Sequence, residues 1–171
     1  MEAEGTTKPL RVLFVNRMAS LERGGGETFD LEISRHLGLA GARISFLSGA
    51  PLLRPPPMPV PGGQVLHTPW LRRFPWDKVK GGWRVRQVEF EWFEWRAARW
   101  VAQHAEEFDV VQICELPNLV YWLKQGGVRT PVVMRLTAPN YYDPRGGVPL
   151  ADGLIASGTS IAKLRERGHA N

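Results

Sequence analysis

Cysteine is nearly missing from this chain of 171 residues, which holds one, Cys114. A lone thiol excludes an internal disulfide and a cysteine metal cluster, so a reducing compartment, the cytoplasm, is the expectation. Long apolar runs are missing too: no stretch reaches the roughly 18 residues of a membrane span. Met1 to Pro9 is polar and carries acids, without the basic and apolar regions of a signal peptide. There is no run of five like charges, although 22 basic against 17 acidic residues leave a net charge of +5. Interspersed signs of this kind exclude a nucleic-acid signature and leave a mild attraction for phosphorylated sugars, nucleotides or anionic lipid surfaces. Histidine is scarce, and His67 and His104 lack partners at metal-ligand spacing, so no metal is expected.

What is present reads as one domain with a full core, at 43% hydrophobic content. Leu10 to Val15 is apolar apart from Arg11, the pattern of a strand buried on both faces of a parallel sheet. A polar loop and Gly24-Gly25-Gly26 follow. The spacing then predicts a helix over Glu27 to Ala40, with Phe29, Ile33, Leu37 and Ala40 on the inward stripe and Gly41 as the stop. Arg43 to Ser48 closes a βαβ unit, whose crossover is nearly always right-handed. Six prolines in the eleven residues from Pro51 to Pro61 prevent regular structure. Gln64 to His67 is a candidate strand, and Thr68 to Gly82 is irregular.

Trp83 to Glu107 has neither proline nor glycine and is predicted as one long helix. Asp109 to Cys114, Pro131 to Leu136 and Gly153 to Ala156 are three more short strands. Asn118 to Gln125 and Ser160 to Arg167 read as helices, the latter stopped by Gly168. The class is α/β, a Rossmann-like three-layer sandwich on a mainly parallel sheet.

In such a sheet the ligand crevice lies at the carboxyl ends of the strands. Gly24, Gly25 and Gly26 stand where the first helix opens, and bare amides at a helix start can approach a phosphate; a flexible loop would use the same residues. The loop lacks the dinucleotide fingerprint, because no acid closes the second strand at Phe46-Leu47-Ser48-Gly49. The first strand ends in Val15-Asn16, without the carboxylate of a receiver domain. After the fourth strand, Glu115 and Asn118 can bind sugar hydroxyls or satisfy the next helix start. After the fifth, Arg135, Thr137, Asn140 and Tyr141 cluster on the same rim, where Asn140 also suits a turn.

The long helix interleaves Trp83, Phe90, Trp92, Phe93, Trp95 and Trp100 with Arg84, Arg86, Arg96 and Arg99. Two explanations fit this. It is either a membrane-surface helix or a core helix with Val85, Val88, Trp92 and Trp95 turned to the sheet and Glu89, Glu91, Glu94 and Glu106 diluting a basic outer face. The core explanation is the expectation.

Four segments in order resemble the N-terminal domain of family-four GT-B glycosyltransferases. They are Arg11-Val12-Leu13-Phe14-Val15 with Gly24-Gly25-Gly26-Glu27; Phe108-Asp109-Val110-Val111; Thr130-Pro131-Val132-Val133-Met134; and Ala151-Asp152-Gly153-Leu154-Ile155-Ala156 continuing through Ile161, Leu164, Arg165 and Gly168. The resemblance implies transfer of a sugar from a nucleotide-diphosphate donor with retention, the donor being a substrate and no cofactor being needed. It implies that residues 1–171 are the acceptor-side half and that most donor affinity belongs to a C-terminal domain beyond them. The chain would be inactive alone, and peripheral attachment at the inner face of a membrane fits the aromatic helix. Two departures stand out: Thr137 and Gln112 occupy positions where the family often has histidine. A naturally short docking subunit for a separate catalytic chain and a generic nucleotide-binding protein are the other readings.

Overall fold

The computed structural model of the chain describes residues 8–21, 24–52, 57–68, 71, 78–137, 143–156, 158–166 and 168. Along the chain lie β1 (Arg11–Val15), α1 (Gly25–Leu39), β2 (Arg43–Pro51), β3 (Gly63–Thr68), α2 (Gly82–His104), β4 (Val110–Cys114), α3 (Pro117–Gln125), β5 (Val132–Leu136), β6 (Gly153–Ala156) and α4 (Gly158–Glu166). The six strands form one sheet in the order β3-β2-β1-β4-β5-β6. Every neighbouring pair is parallel. Strand order reverses between β1 and β4, which places the topological switch point, and hence the ligand crevice, at the carboxyl ends of those two strands.

Alternation along β1 divides its side chains between the two layers of helices. Val12 and Phe14 pack with Phe46 against Leu31, Ile33 and Leu37 of α1. Leu13 and Val15 belong to the larger core on the other face, with Phe93, Ala97 and Val101 of α2 and Leu119 and Leu123 of α3. The result is the expected Rossmann-like three-layer α/β sandwich on a parallel sheet. Gly41 stops α1 as expected: it adopts φ 91°, a left-handed conformation that glycine enters without a side-chain penalty.

Several local expectations are corrected. Helix α1 begins at Gly25 rather than Glu27. Its buried residues are Asp30 and Ser34, while Phe29 and Ala40 face solvent. The inward stripe is displaced because Asp30 has charged and polar partners inside. Strand β2 runs on to Pro51, held by pairing with β3 through Pro51 and Thr68. Helix α2 ends at His104 and continues as a 3-10 turn, Ala105–Glu107.

The largest correction concerns the face of α2. Val88, Trp92 and Trp95 are exposed, and the buried residues are Glu89, Phe93, Glu94, Ala97, Ala98 and Val101 with Gly82. Close approach of a helix to a sheet needs small residues at the contact, which Ala97 and Ala98 supply and indoles do not. Two of the glutamates expected outside are therefore inside. Glu89 accepts a hydrogen bond from the Leu71 amide, and Glu94 accepts one from the Leu119 amide at 3.1 Å.

Candidate functional site

The carboxyl ends of β5 and β6 face the start of α1 across a shallow cavity of about 270 Å³, lined by Gly25, Phe29, Arg135, Thr137, Ile155 and Ala156 together with Leu136. The glycine turn and the segment after β5 thus share one edge of the sheet. Glycine has no side chain with which to cap α1, and Glu27 closes the helix start instead, its carboxylate accepting the Gly24 amide at 3.1 Å. First-turn amides have no acceptor within their own helix, and of that turn Gly25 lines the cavity. At Gly26 a β-carbon would lie 3.4 Å from Nη2 of Arg135, so a glycine there keeps backbone and guanidinium close.

Arg135 is 2% exposed and Asp30 1%. Nε of Arg135 donates to Oδ1 of Asp30 at 2.8 Å, and Nη2 donates to the Gly26 carbonyl and to Sγ of Cys114, each at 2.8 Å. Asp30 also accepts from Nδ2 of Asn16 at 2.7 Å and from Nε2 of Gln112 at 3.3 Å. Burial works against the charge of Arg135, yet the hydrogen bond to Asp30 and the neighbouring groups, Glu115 among them, together hold the guanidinium above its ordinary pKa. Burial pushes the Cys114 thiol well above its ordinary range, so it is a hydrogen-bond acceptor rather than a nucleophile. Nη1 of Arg135 is buried without a hydrogen-bond partner. A buried cation with an unfilled donor is costly, and such costs concentrate at binding sites.

Glu115 stands at φ 52°, the sole positive φ of a non-glycine among the described residues. Its carboxylate accepts the Thr137 amide at 2.8 Å and also the Thr137 hydroxyl. It does not cap α3, whose N-cap residue, Leu116, makes no side-chain hydrogen bond. That role falls to Glu94 of α2, a residue the sequence pattern left on the surface. Burial raises the Glu94 pKa to about 7, against the opposing charge of Arg17, whose Nη1 lies 3.7 Å away.

Of the residues expected at the site, the structure brings Gly25, Arg135 and Thr137 into one cavity, with Gly26 bonded to Arg135 and Glu115 bonded to Thr137. Gly24 is exposed just ahead of α1. Asn118 is buried in the first turn of α3, away from that cavity, and its Oδ1 lacks a hydrogen-bond partner. Asn140 and Tyr141 lie outside the described residues. Asp30 and Gln112 were not foreseen as neighbours of Arg135. The available signal was an acid in phase with Ser34 on the inner side of α1 and an amide inside an otherwise apolar strand. Among the described residues no group of three His, Cys, Asp or Glu side chains is placed to hold a metal.

No protein-family model matches this chain. No curated protein matches it either. Among solved structures it is similar to the crystal structure of LpCGTa in complex with UDP, with a TM-score of 0.52 and 13% identity, over 93% of this chain and 49% of that one. The chain therefore spans about half the length of that neighbour. At this identity the likeness is one of fold, a Rossmann-like α/β sandwich on a parallel sheet.

Proposed function

We propose that this chain is the acceptor-binding half of a retaining, family-four-type GT-B glycosyltransferase, and that it is inactive without a C-terminal donor-binding domain. The observation that carries this reading is the shared cavity of Gly25, Arg135 and Thr137 at the carboxyl edge of the sheet. An α/β half-fold with polar groups at that edge has the surface needed to present an acceptor to a donor gripped from the opposite side.

In this proposal the donor is a nucleotide-diphosphate sugar, a substrate rather than a cofactor. The acceptor hydroxyl attacks the anomeric carbon from the face that the diphosphate leaves, the bond to the diphosphate oxygen breaks, and the departing diphosphate takes the hydroxyl proton. Such a step depends on positioning and on stabilising the leaving charge. The amides of Gly25 and Gly26 approach the diphosphate, that of Gly24 being held by Glu27, with Arg135 adding fixed positive charge behind Gly26. Glu27 sits in the same turn and weakens anion binding by its own charge, which fits a half that contributes little donor affinity. Glu115 and Thr137, locked together, orient the acceptor. The positions of Gln112 and Thr137 assign no imidazole to this chemistry, and Gln112 instead serves Asp30.

Titrating the 15N-labelled chain with UDP tests the proposal. The expected result is fast-exchange shifts of the Gly25, Gly26 and Thr137 amides, with affinity no tighter than the millimolar range, about −4 kcal/mol, and no sugar transfer. Submicromolar binding of UDP, or turnover of a UDP-sugar by the purified chain, would overturn it.

A further inference from the structure

The outer face of α2 is not absorbed by the sugar-handling edge. Val88 is 64% exposed, Trp92 54% and Trp95 44%, and Trp83 is exposed one turn ahead of Val88. Trp92 and Trp95 each line two separate hollows. One, of about 320 Å³, includes Glu91, Trp122 and Arg145; the other, of about 370 Å³, includes Arg96, Arg99 and Trp100. Two side chains that wall hollows on both sides form a ridge between them. A raised pair of indoles suits insertion into a soft interface better than enclosure by a rigid pocket.

Charge identifies the medium. Five glutamates lie in α2 and its following turn. Glu89 and Glu94 are buried, occupied by the Leu71 and Leu119 amides. Glu91 is paired with Arg145, Nη2 to Oε2 3.5 Å. Glu106 and Glu107 lie beyond the end of α2, in the 3-10 turn. Arg84 and Arg99 remain exposed, held over the rings of Trp83 and Trp95 at 5.4 and 4.9 Å. The inward rotation of the acids thus leaves an aromatic ridge with basic flanks, on a chain of net charge +5. Among the described residues no helix is long and apolar enough to cross a membrane, so contact would be along the surface.

We infer that the outer face of α2 docks on an anionic phospholipid bilayer, with Trp92 and Trp95 inserted at headgroup level and Arg99 against lipid phosphate. Indoles prefer that level because one part of the ring is apolar and the N–H is not, and guanidinium groups beside them gain from the negative surface potential. The inference is independent of the proposed sugar transfer, since none of its anchors lines the cavity at the start of α1.

Vesicle co-sedimentation of the full chain tests it, using phosphatidylcholine alone and phosphatidylcholine mixed with phosphatidylglycerol. Wild type is expected to pellet with the mixed vesicles, weakly with phosphatidylcholine, and less as salt rises. The double variant W92A/W95A should lose most binding, and R99E should lose on the order of tenfold, as a reversal of one interfacial charge allows. Both alter exposed side chains, and unchanged far-ultraviolet circular dichroism will establish that each is folded. Equal pelleting with both lipid mixtures, or undiminished binding by folded W92A/W95A, overturns the inference. So does ridge-dependent binding of a soluble oligosaccharide with no vesicle binding, which would make the indoles a sugar platform. None of these results bears on the UDP titration at Gly25 and Gly26.

Discussion

Arg135 of β5 and Asp30 of α1 meet inside the protein, Nε to Oδ1 2.8 Å, joining the strand that carries the site to the helix that opens it. Removing one partner leaves the other as an uncompensated buried charge, so D30A and R135A are each expected to cost about 3 to 5 kcal/mol. Asn16 and Gln112 still hold Asp30 in R135A, which puts that variant at the lower end. The double replacement D30L/R135M should cost less than the sum of the two single changes. Urea denaturation measures all three; additive losses would mean that the pair is not energetically coupled.

Glu94 gives stability a pH dependence of defined sign. Burial holds its folded pKa near 7, above the ordinary 4.5. Between those values the native protein keeps a proton that the unfolded chain has released, so this group lowers stability as pH rises through that window. The upper limit of the effect is roughly 3 kcal/mol. E94Q still presents an oxygen to the Leu119 amide and has nothing to titrate. The difference in unfolding free energy between wild type and E94Q should therefore change across the window and level off above it. A difference independent of pH would show that Glu94 is ionised throughout.

The fold was legible because its signals are local and apolar. β1, β4 and β5 are short, mostly apolar runs interrupted by Arg11, Gln112 and Arg135, and each lies within a residue or two of where its apolar run places it. The helix faces were harder. In α2 the heaviest side chains suggested the inward stripe, whereas the contact with the sheet is made by Phe93, Ala97 and Val101. Small residues in helical phase were the better guide, since Glu89 and Glu94 lie next to that phase and both are buried. At the site, the glycine turn and Thr137 could be assigned to one edge from strand polarity alone. The partnerships of Asp30 with Arg135 and of Glu115 with Thr137 could not, because each joins residues far apart in sequence.

Glu115 offers a test of backbone strain. A left-handed conformation costs a residue with a β-carbon about 1 to 2 kcal/mol, and glycine escapes the penalty. E115A and E115G both lose the bonds to Thr137, but only glycine suits φ 52°. E115G should therefore be the more stable of the two by about 1 kcal/mol in thermal or urea unfolding. Equal stability would mean that the turn relaxes once the carboxylate is gone.

Gly147 marks a point where two chain segments touch. A β-carbon there would lie 1.8 Å from the Pro117 carbonyl oxygen and 2.6 Å from its carbon, and neither backbone atom can swing aside as a side chain does. G147A should cost about 1 to 3 kcal/mol or more, as overpacking does. G25A is the control, because nothing lies within 4 Å of its added carbon. A G147A protein as stable as G25A would refute the close approach.

The capping of α3 by Glu94 ties the two outer helices together more firmly than apolar packing would. To slide α2 along α3 is to pull a carboxylate off a helix start and strand both in the interior, so the pair moves as one plate. That plate carries the indole ridge on its outside and ends beside the kinked residue whose carboxylate grips Thr137. A push on the ridge would therefore bear on the segment that holds Thr137.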